Sequence, residues 1–211
     1  FFTQAARGDA GAAIDSVAED LLKDGESLAA VRVVAMAAAA LARSMGASPS
    51  AIAQGLRSFK LDHHRLEVVL TSGGITFIDD SKATNPHAAI AAIQSQLESI
   101  WIAGGLAKGA AMDELARRSK SRIKAAILIG SDATIIQSAL LKESPNLAIY
   151  MTDSNLTGID VMAQVMGIVK NIAVSGDVVL LAPACASMDQ FKNYADRGDI
   201  FTQAAKEAFG E

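Results

Sequence analysis

The stretch Ile75-Thr76-Phe77-Ile78-Asp79-Asp80-Ser81-Lys82-Ala83-Thr84-Asn85-Pro86-His87 changes character twice. Its first residues are β-branched or aromatic, as a pleated strand favours, and its middle is almost wholly polar. Pro86 then suits the first turn of a helix, where its fixed φ fits and its missing N–H is not needed. Strand, polar loop and helix in that order make the unit from which parallel sheets are built. Upstream, Leu66-Glu67-Val68-Val69-Leu70-Thr71 is joined to the strand by Ser72-Gly73-Gly74, so the two apolar runs read as a hairpin.

The alternation continues downstream. Strands are expected at Ser99–Ala103, Ala125–Ile129, Leu147–Met151 and Val178–Ala182. Helices are expected near His87–Gln96, Met112–Ser121, Ala133–Leu141 and Leu156–Asn171. A last helix should begin near Met188 or Asp189 and run towards Phe209. Several strands are continuously apolar, which marks burial on both faces. The pattern predicts an α/β fold, a Rossmann-like and mostly parallel sheet with helices on both faces. A short helical segment precedes it. Leu28 to Met45 carries no breaker and stops at Gly46, and Ser48-Pro49 supplies an N-cap and first residue for a second helix to about Phe59. The expected division is a helical segment over 1–62 and an α/β domain over 63–211, with the boundary near Asp62–Arg65.

Composition narrows the function classes. The chain has 211 residues, 51% hydrophobic and 20% charged, an ordinary globular balance. Lys+Arg 19 against Asp+Glu 23 gives a net charge of −4, so no basic field invites nucleic acid or an acidic membrane. The most apolar run, Leu28 to Leu41, is too short to span a bilayer and carries Arg32. No secretion signal is read at the N-terminus. A single Cys cannot close an internal disulfide, which favours a reducing, cytoplasmic setting.

In an open parallel sheet, ligands bind beyond the carboxyl ends of the strands. Three polar or small-residue clusters stand at such ends. Asp79 to His87 offers carboxylates, an ammonium, and hydroxyl and amide groups at a helix N-terminus, although each residue is also an ordinary turn or cap former. Ala103-Gly104-Gly105-Leu106-Ala107-Lys108-Gly109 permits close backbone approach and projects Lys108. It is not a phosphate loop of the Gly-Lys-Ser/Thr type, because Ala110 and Ala111 follow Gly109. Ala182-Pro183-Ala184-Cys185-Ala186-Ser187-Met188-Asp189-Gln190-Phe191 makes a compact anion pocket, with Ser187 read at a helix start. Cys185 has no base presented by a motif and reads as a small buried residue. Ser187 lacks the Gly-x-Ser-x-Gly elbow of hydrolases. His63-His64-Arg65 lies at the expected junction and has no zinc-like spacing, so no metal site is read. Phe-Thr-Gln-Ala-Ala occurs at Phe2–Ala6 and Phe201–Ala205, and Arg-Gly-Asp at Arg7–Asp9 and Arg197–Asp199. An adhesion role would need an extracellular loop, and the sequence offers no other reading of the echo.

Taken together, His64-Arg65-Leu66-Glu67-Val68-Val69, Asp79 to Pro86, the Gly-Gly-x-x-Lys loop and Leu181 to Lys192 resemble the Mur ligases, in particular the branch that adds D-glutamate. The resemblance implies the C-terminal part of an ATP-dependent amide ligase of peptidoglycan precursor synthesis, adding D-glutamate to UDP-N-acetylmuramoyl-L-alanine through an acyl phosphate. It implies that Thr84, Lys108 and Ser187 hold the D-glutamate carboxylates, with backbone near Met188 and Tyr194 completing the pocket. It implies that Asp80 meets the ATP ribose and that Arg65 and Lys82 face the nucleotide phosphates, with His64 and Asn85 beside them. ATP and Mg would serve the full-length parent, and none is expected to bind this chain tightly. The nucleotide-linked precursor would be held by other domains. The family's phosphate loop, catalytic Glu and carbamylated Lys have no counterpart here, and its Gly-x-His-Asn segment appears as Gly25-Glu26-Ser27-Leu28. The chain therefore reads as a fragment without catalytic residues of its own. Two other readings are a related ligase domain for a different amino acid and a non-catalytic interaction module of the same fold.

Overall fold

The computed structural model describes residues 28–59 and 62–210. The segments Phe2–Ala6, Arg7–Asp9 and Gly25-Glu26-Ser27, with the rest of 1–27, lie outside the described residues. The chain divides between Asp62 and His63.

Before the division stand two helices, α1 (Leu28–Ser44) and α2 (Pro49–Ser58). Gly46 ends the first at a φ of +90°, and the Ser48 hydroxyl accepts the Ala51 N–H at 3.1 Å to cap the second. Ile52 and Ala53 form the buried stripe of α2.

After the division, the order is β1 (Glu67–Ser72), β2 (Ile75–Asp79), α3 (Pro86–Ser95), β3 (Ser99–Gly104), α4 (Asp113–Ser119), β4 (Ile123–Ile129), α5 (Ala133–Glu143), β5 (Ala148–Met151), α6 (Gly158–Ile172), β6 (Val178–Leu181) and α7 (Tyr194–Phe209). They build a six-stranded sheet in the order β1-β2-β6-β3-β4-β5. The β1–β2 hairpin is antiparallel and every other pairing is parallel.

Connection handedness explains the layers. From β2 to β5 the chain advances across the sheet in one direction, so right-handed crossovers place α3, α4 and α5 on one face. The return from β5 to β6 reverses direction and places α6 on the other face, where α7 joins it. The two cores follow this division. Ile78, Trp101, Leu128 and Leu180 pack with Ile93, Leu115 and Leu140, while Phe77, Ile100, Ile127 and Leu181 pack with Val165 and Phe201. Alternate residues of one strand thus serve opposite cores, and β3 is buried at every position.

Two expectations need correction. The stretch 112–121 is α4 followed by a separate 3-10 turn, Lys120–Arg122. The last helix begins at Tyr194, not near Met188. The Ser187 carbonyl accepts the Gln190 and Phe191 N–H groups in a single turn that goes no further. The Gln190 amide and carbonyl are both drawn to the start of α6, at the Leu156 carbonyl (2.7 Å) and the Gly158 N–H (2.8 Å). Asn193 then caps the new helix by accepting the Asp196 N–H at 2.9 Å.

Phe201 is fully buried against Phe77, with ring centroids 6.5 Å apart. Phe201→Ala should lower unfolding free energy by about 3–5 kcal/mol in urea titration. Leu97→Ala, at an 88% exposed position, should stay within about 0.5 kcal/mol of wild type.

Candidate functional site

The carboxyl ends of the parallel strands share one rim, and the loops leaving them are tied to one another. Leu106 and Ala186 exchange two backbone hydrogen bonds, at 2.8 and 3.0 Å, which joins the loop after β3 to the loop after β6. The Ala184 N–H donates to the Ala83 carbonyl at 2.9 Å, joining the loop after β6 to the loop after β2. The loop after β4 is held as well. Asp132 Oδ2 accepts the Ala107 N–H and Asp189 Oδ2 accepts the Ser131 N–H, each at 2.8 Å. Gly105 makes the closest crossing possible: its φ is +124°, and a Cβ there would press on the Ala186 carbonyl.

Thr84, Lys108 and Ser187 flank these ties. Thr84 is half-buried next to Ala83, Ser187 is 3% exposed next to Ala186, and Lys108 is exposed two residues after Leu106. Lys108 has a left-handed φ of +51°, a conformation uncommon for a residue with a side chain. Met188 is 57% exposed, and Tyr194 opens α7 with its ring 5.6 Å from Lys82 Nζ. Asp189 Oδ1 and Gln190 Oε1 are buried without a hydrogen-bond partner among the described residues.

Asp80 is nearly buried and its Oδ1 accepts the Leu66 N–H at 3.3 Å, which fastens the segment after the division to the end of β2. Arg65 is exposed and Lys82 half-buried. Asn85 is exposed and caps α3, its Oδ1 accepting the Ala88 N–H at 3.1 Å. Ser187 is not at a helix start as the sequence suggested; it is buried in the turn that precedes α7.

The sequence reading missed what holds the rim. Arg197 is fully buried on α7. Its Nε donates to Ser81 Oγ and its Nη2 to the Ser81 carbonyl, both at 2.9 Å, and both terminal nitrogens reach the Cys185 carbonyl at 3.3 Å. One side chain therefore binds the loops after β2 and β6 to α7. Burial lowers its pKa to about 10, so it stays cationic at neutral pH. Asp79, fully buried, accepts the Ser81 N–H at 2.8 Å and lies 2.7 Å from His64 Nδ1. Burial pushes the Asp79 carboxyl above the usual carboxylate range, against the pull of those two partners. Burial also pushes the Cys185 thiol up to about 12, with the nearby Arg197 cation opposing, so it is no nucleophile at neutral pH. The available signal was the Arg197-Gly198-Asp199 tripeptide, whose meaning depends on burial.

A family model described as Mur ligase, glutamate ligase domain, matches residues 64–185. The UDP-N-acetylmuramoylalanine–D-glutamate ligase of Streptomyces avermitilis is 46% identical over 198 residues, an alignment covering 89% of this chain and 42% of that protein. The enzyme of the same name from Leifsonia xyli is 42% identical over 194 residues, covering 91% of this chain and 37% of the relative. The chain thus spans about two-fifths of the length of these curated relatives. Among solved structures, UDP-N-acetylmuramate-alanine ligase from Thermotoga maritima superposes with a TM-score of 0.56 at 15% identity, covering 85% of this chain and 38% of that one. Mycobacterium tuberculosis folylpolyglutamate synthase complexed with ADP gives 0.52 at 15% identity, covering 83% and 39%. At such identities the likeness is one of fold. The chain belongs to the Mur ligase family.

Two measurements check this account of the rim. Arg197→Lys keeps the charge and loses the planar fork, leaving buried carbonyls without donors, and should lower unfolding free energy by about 2 kcal/mol or more in urea titration. Alkylation of Cys185 should be slow in the folded protein at neutral pH and fast once urea unfolds it, as mass spectrometry would record.

Proposed function

With a Mur ligase C-terminal domain as the premise, we propose that this chain is the amino-acid-binding part of an ATP-dependent ligase. That ligase joins D-glutamate to UDP-N-acetylmuramoyl-L-alanine through an acyl phosphate, in the cytoplasm, for peptidoglycan precursor synthesis. The observation that supports the reading is the single rim on which the loops bearing Thr84, Lys108 and Ser187 are tied by backbone hydrogen bonds. The names of the relatives support the choice of amino acid. No helix among the described residues is long and apolar enough to cross a membrane.

A small dicarboxylate suits this rim physically. The Lys108 ammonium neutralises one carboxylate, and the Thr84 and Ser187 hydroxyls donate to carboxylate oxygens; such charge-assisted bonds are the strong ones. Backbone near Met188 and the Tyr194 ring complete the enclosure. With both carboxylates fixed, the amine becomes a positioned nucleophile for the activated precursor carboxyl, and positioning is the contribution these residues make to rate.

Bound ATP supplies the phosphoryl group that activates the precursor carboxylate, with Mg neutralising its charge. From this chain, Asp80 suits ribose hydroxyls and Arg65 and Lys82 suit phosphates. His64 and Asn85 act beside them, Asn85 through the helix it caps. The 211 residues contain no Gly-x-x-x-x-Gly-Lys-Ser/Thr loop to cradle those phosphates. The chain by itself therefore binds D-glutamate weakly and completes no ligation.

Titration of the isotopically labelled chain with D-glutamate should shift the resonances of Thr84, Lys108 and Ser187 together. Lys108→Ala should weaken binding about tenfold or more, the loss expected for one charge-assisted hydrogen bond. L-glutamate and other amino acids serve as competitors; preferential binding of one of them would reassign the substrate. Unchanged affinity in Lys108→Ala would remove the pocket, and ATP-dependent ligation by the purified chain would overturn the claim that it is incomplete.

A further inference from the structure

His64 is held more tightly than a residue beside a nucleotide requires. Its backbone adopts a left-handed φ of +64°, unusual for a ring-bearing side chain. That backbone is pinned at both ends. The His64 N–H donates to Glu67 Oε2 at 3.0 Å, and the carbonyl accepts the Lys82 N–H at 3.2 Å. The imidazole is pinned as well, with Nδ1 2.7 Å from Asp79 Oδ2. The other Asp79 oxygen is occupied by the Ser81 N–H.

Gly198 provides the room for this pair. A Cβ on it would stand 2.5 Å from Asp79 Oδ2 and inside contact distance of His64 Nδ1. The ring also meets two other residues of α7. Nε2 lies 3.8 Å from Asp199 Oδ1, and the ring meets Tyr194 edge to face, with centroids 6.2 Å apart. Tyr194 in turn carries Lys82 Nζ over its face. His63 is the remaining neighbour, its ring centroid 6.3 Å away.

We propose that His64 is a positioning residue of the rim: Asp79 fixes its ring as the Nδ1–H tautomer, and the fixed ring braces Tyr194 and, through Tyr194, Lys82. The logic is that of hydrogen-bond supply. An ionised carboxylate only accepts, and Asp79 has no exposed surface from which water could donate. An imidazole that satisfies it carries a proton on Nδ1. In the neutral ring Nε2 is the unprotonated nitrogen, on the side of the exposed Asp199. One ring thereby links a residue assigned to the amino acid, Tyr194, with one assigned to the nucleotide phosphates, Lys82. The effect on ligand affinity rests on the function proposed above; the tautomer and the ring contact do not.

Long-range nitrogen–proton NMR of the intact chain reads the tautomer directly. In the neutral ring, Nδ1 should be the protonated nitrogen. Asp79→Asn should reverse this, because the amide oxygen remains with the Ser81 N–H and its NH2 then faces the ring. The Tyr194 ring resonances should move in that variant, and D-glutamate affinity should fall about threefold or more, as for residues in direct contact. His64→Asn supplies a donor to Asp79 without a ring, so it should fold with little loss of stability yet reproduce the Tyr194 and affinity changes. Gly198→Ala should displace the ring, and if it fails to fold the other two variants carry the test. An Nε2–H tautomer in the neutral wild type, or Tyr194 resonances unmoved in Asp79→Asn, would overturn the proposal. The expected tautomer and Tyr194 response, with no D-glutamate binding to wild type, would support the brace and count against the proposed substrate instead.

Discussion

A guanidinium with no exposed surface carries the geometry of the rim at the carboxyl ends of the strands. Arg197 reaches from α7 to Ser81 and to the Cys185 carbonyl, two loops that leave different strands. Burying a cation is costly unless its donors are satisfied, and among the described residues its hydrogen bonds go to neutral oxygens of Ser81 and Cys185. That arrangement leaves the charge only partly compensated, which is why burial lowers its pKa. It also makes the loops intolerant of drift, because any displacement would strand both the cation and the carbonyls it serves. The backbone exchange between Leu106 and Ala186 adds a third loop to the same assembly.

On the function proposed above, that rigidity fits what an amide-forming ligase would need from its amino-acid domain. Bringing an amine to an activated carboxyl is mainly a matter of holding it within reach and in line. Hydroxyls and an ammonium on mobile loops would lose much of their binding energy to ordering; on loops already fixed they lose less. Lys108 is the instructive case. Its side chain is exposed, but its backbone sits in a left-handed conformation between Ala107, anchored by Asp132, and Gly109. On the proposed function, the backbone that presents the Lys108 ammonium is thus held on its Ala107 side.

The sheet was legible in the sequence because its signals are local and redundant. Ile100 to Ala103 is apolar with paired glycines behind it, and Pro86 helps to start a helix whatever surrounds it. The start of α7 was misplaced because the competing preference was tertiary. Ser187 to Phe191 has the composition of a helix opening, and the ties of Gln190 to the start of α6 decide otherwise. The loops rich in Gly, Lys, Ser and Thr could be picked out for the same reason as the strands, since their composition is unusual in itself. What fastens them could not. Nothing in the letters separates a buried Arg197 from an exposed one.

The Arg-Gly-Asp tripeptide brings out that point. Met as a string, it suggests an accessible loop. At 197–199 each residue is explained by the fold: Arg197 ties the loops, Gly198 leaves space for His64 and Asp79, and Asp199 stands across from the free edge of the imidazole. They lie on the second turn of α7, and their side chains are committed before any outside partner could meet them, Asp199 excepted, which is 78% exposed. A substitution at Gly198 would be felt at His64, at Asp79 and so at the rim, although glycine offers no chemistry of its own. On the function proposed above, Thr84, Lys108 and Ser187 form the set that meets the amino acid, and Asp79, Arg197 and Gly198 the set that only places them. The second set is fixed by packing density, where even one methyl group has nowhere to go.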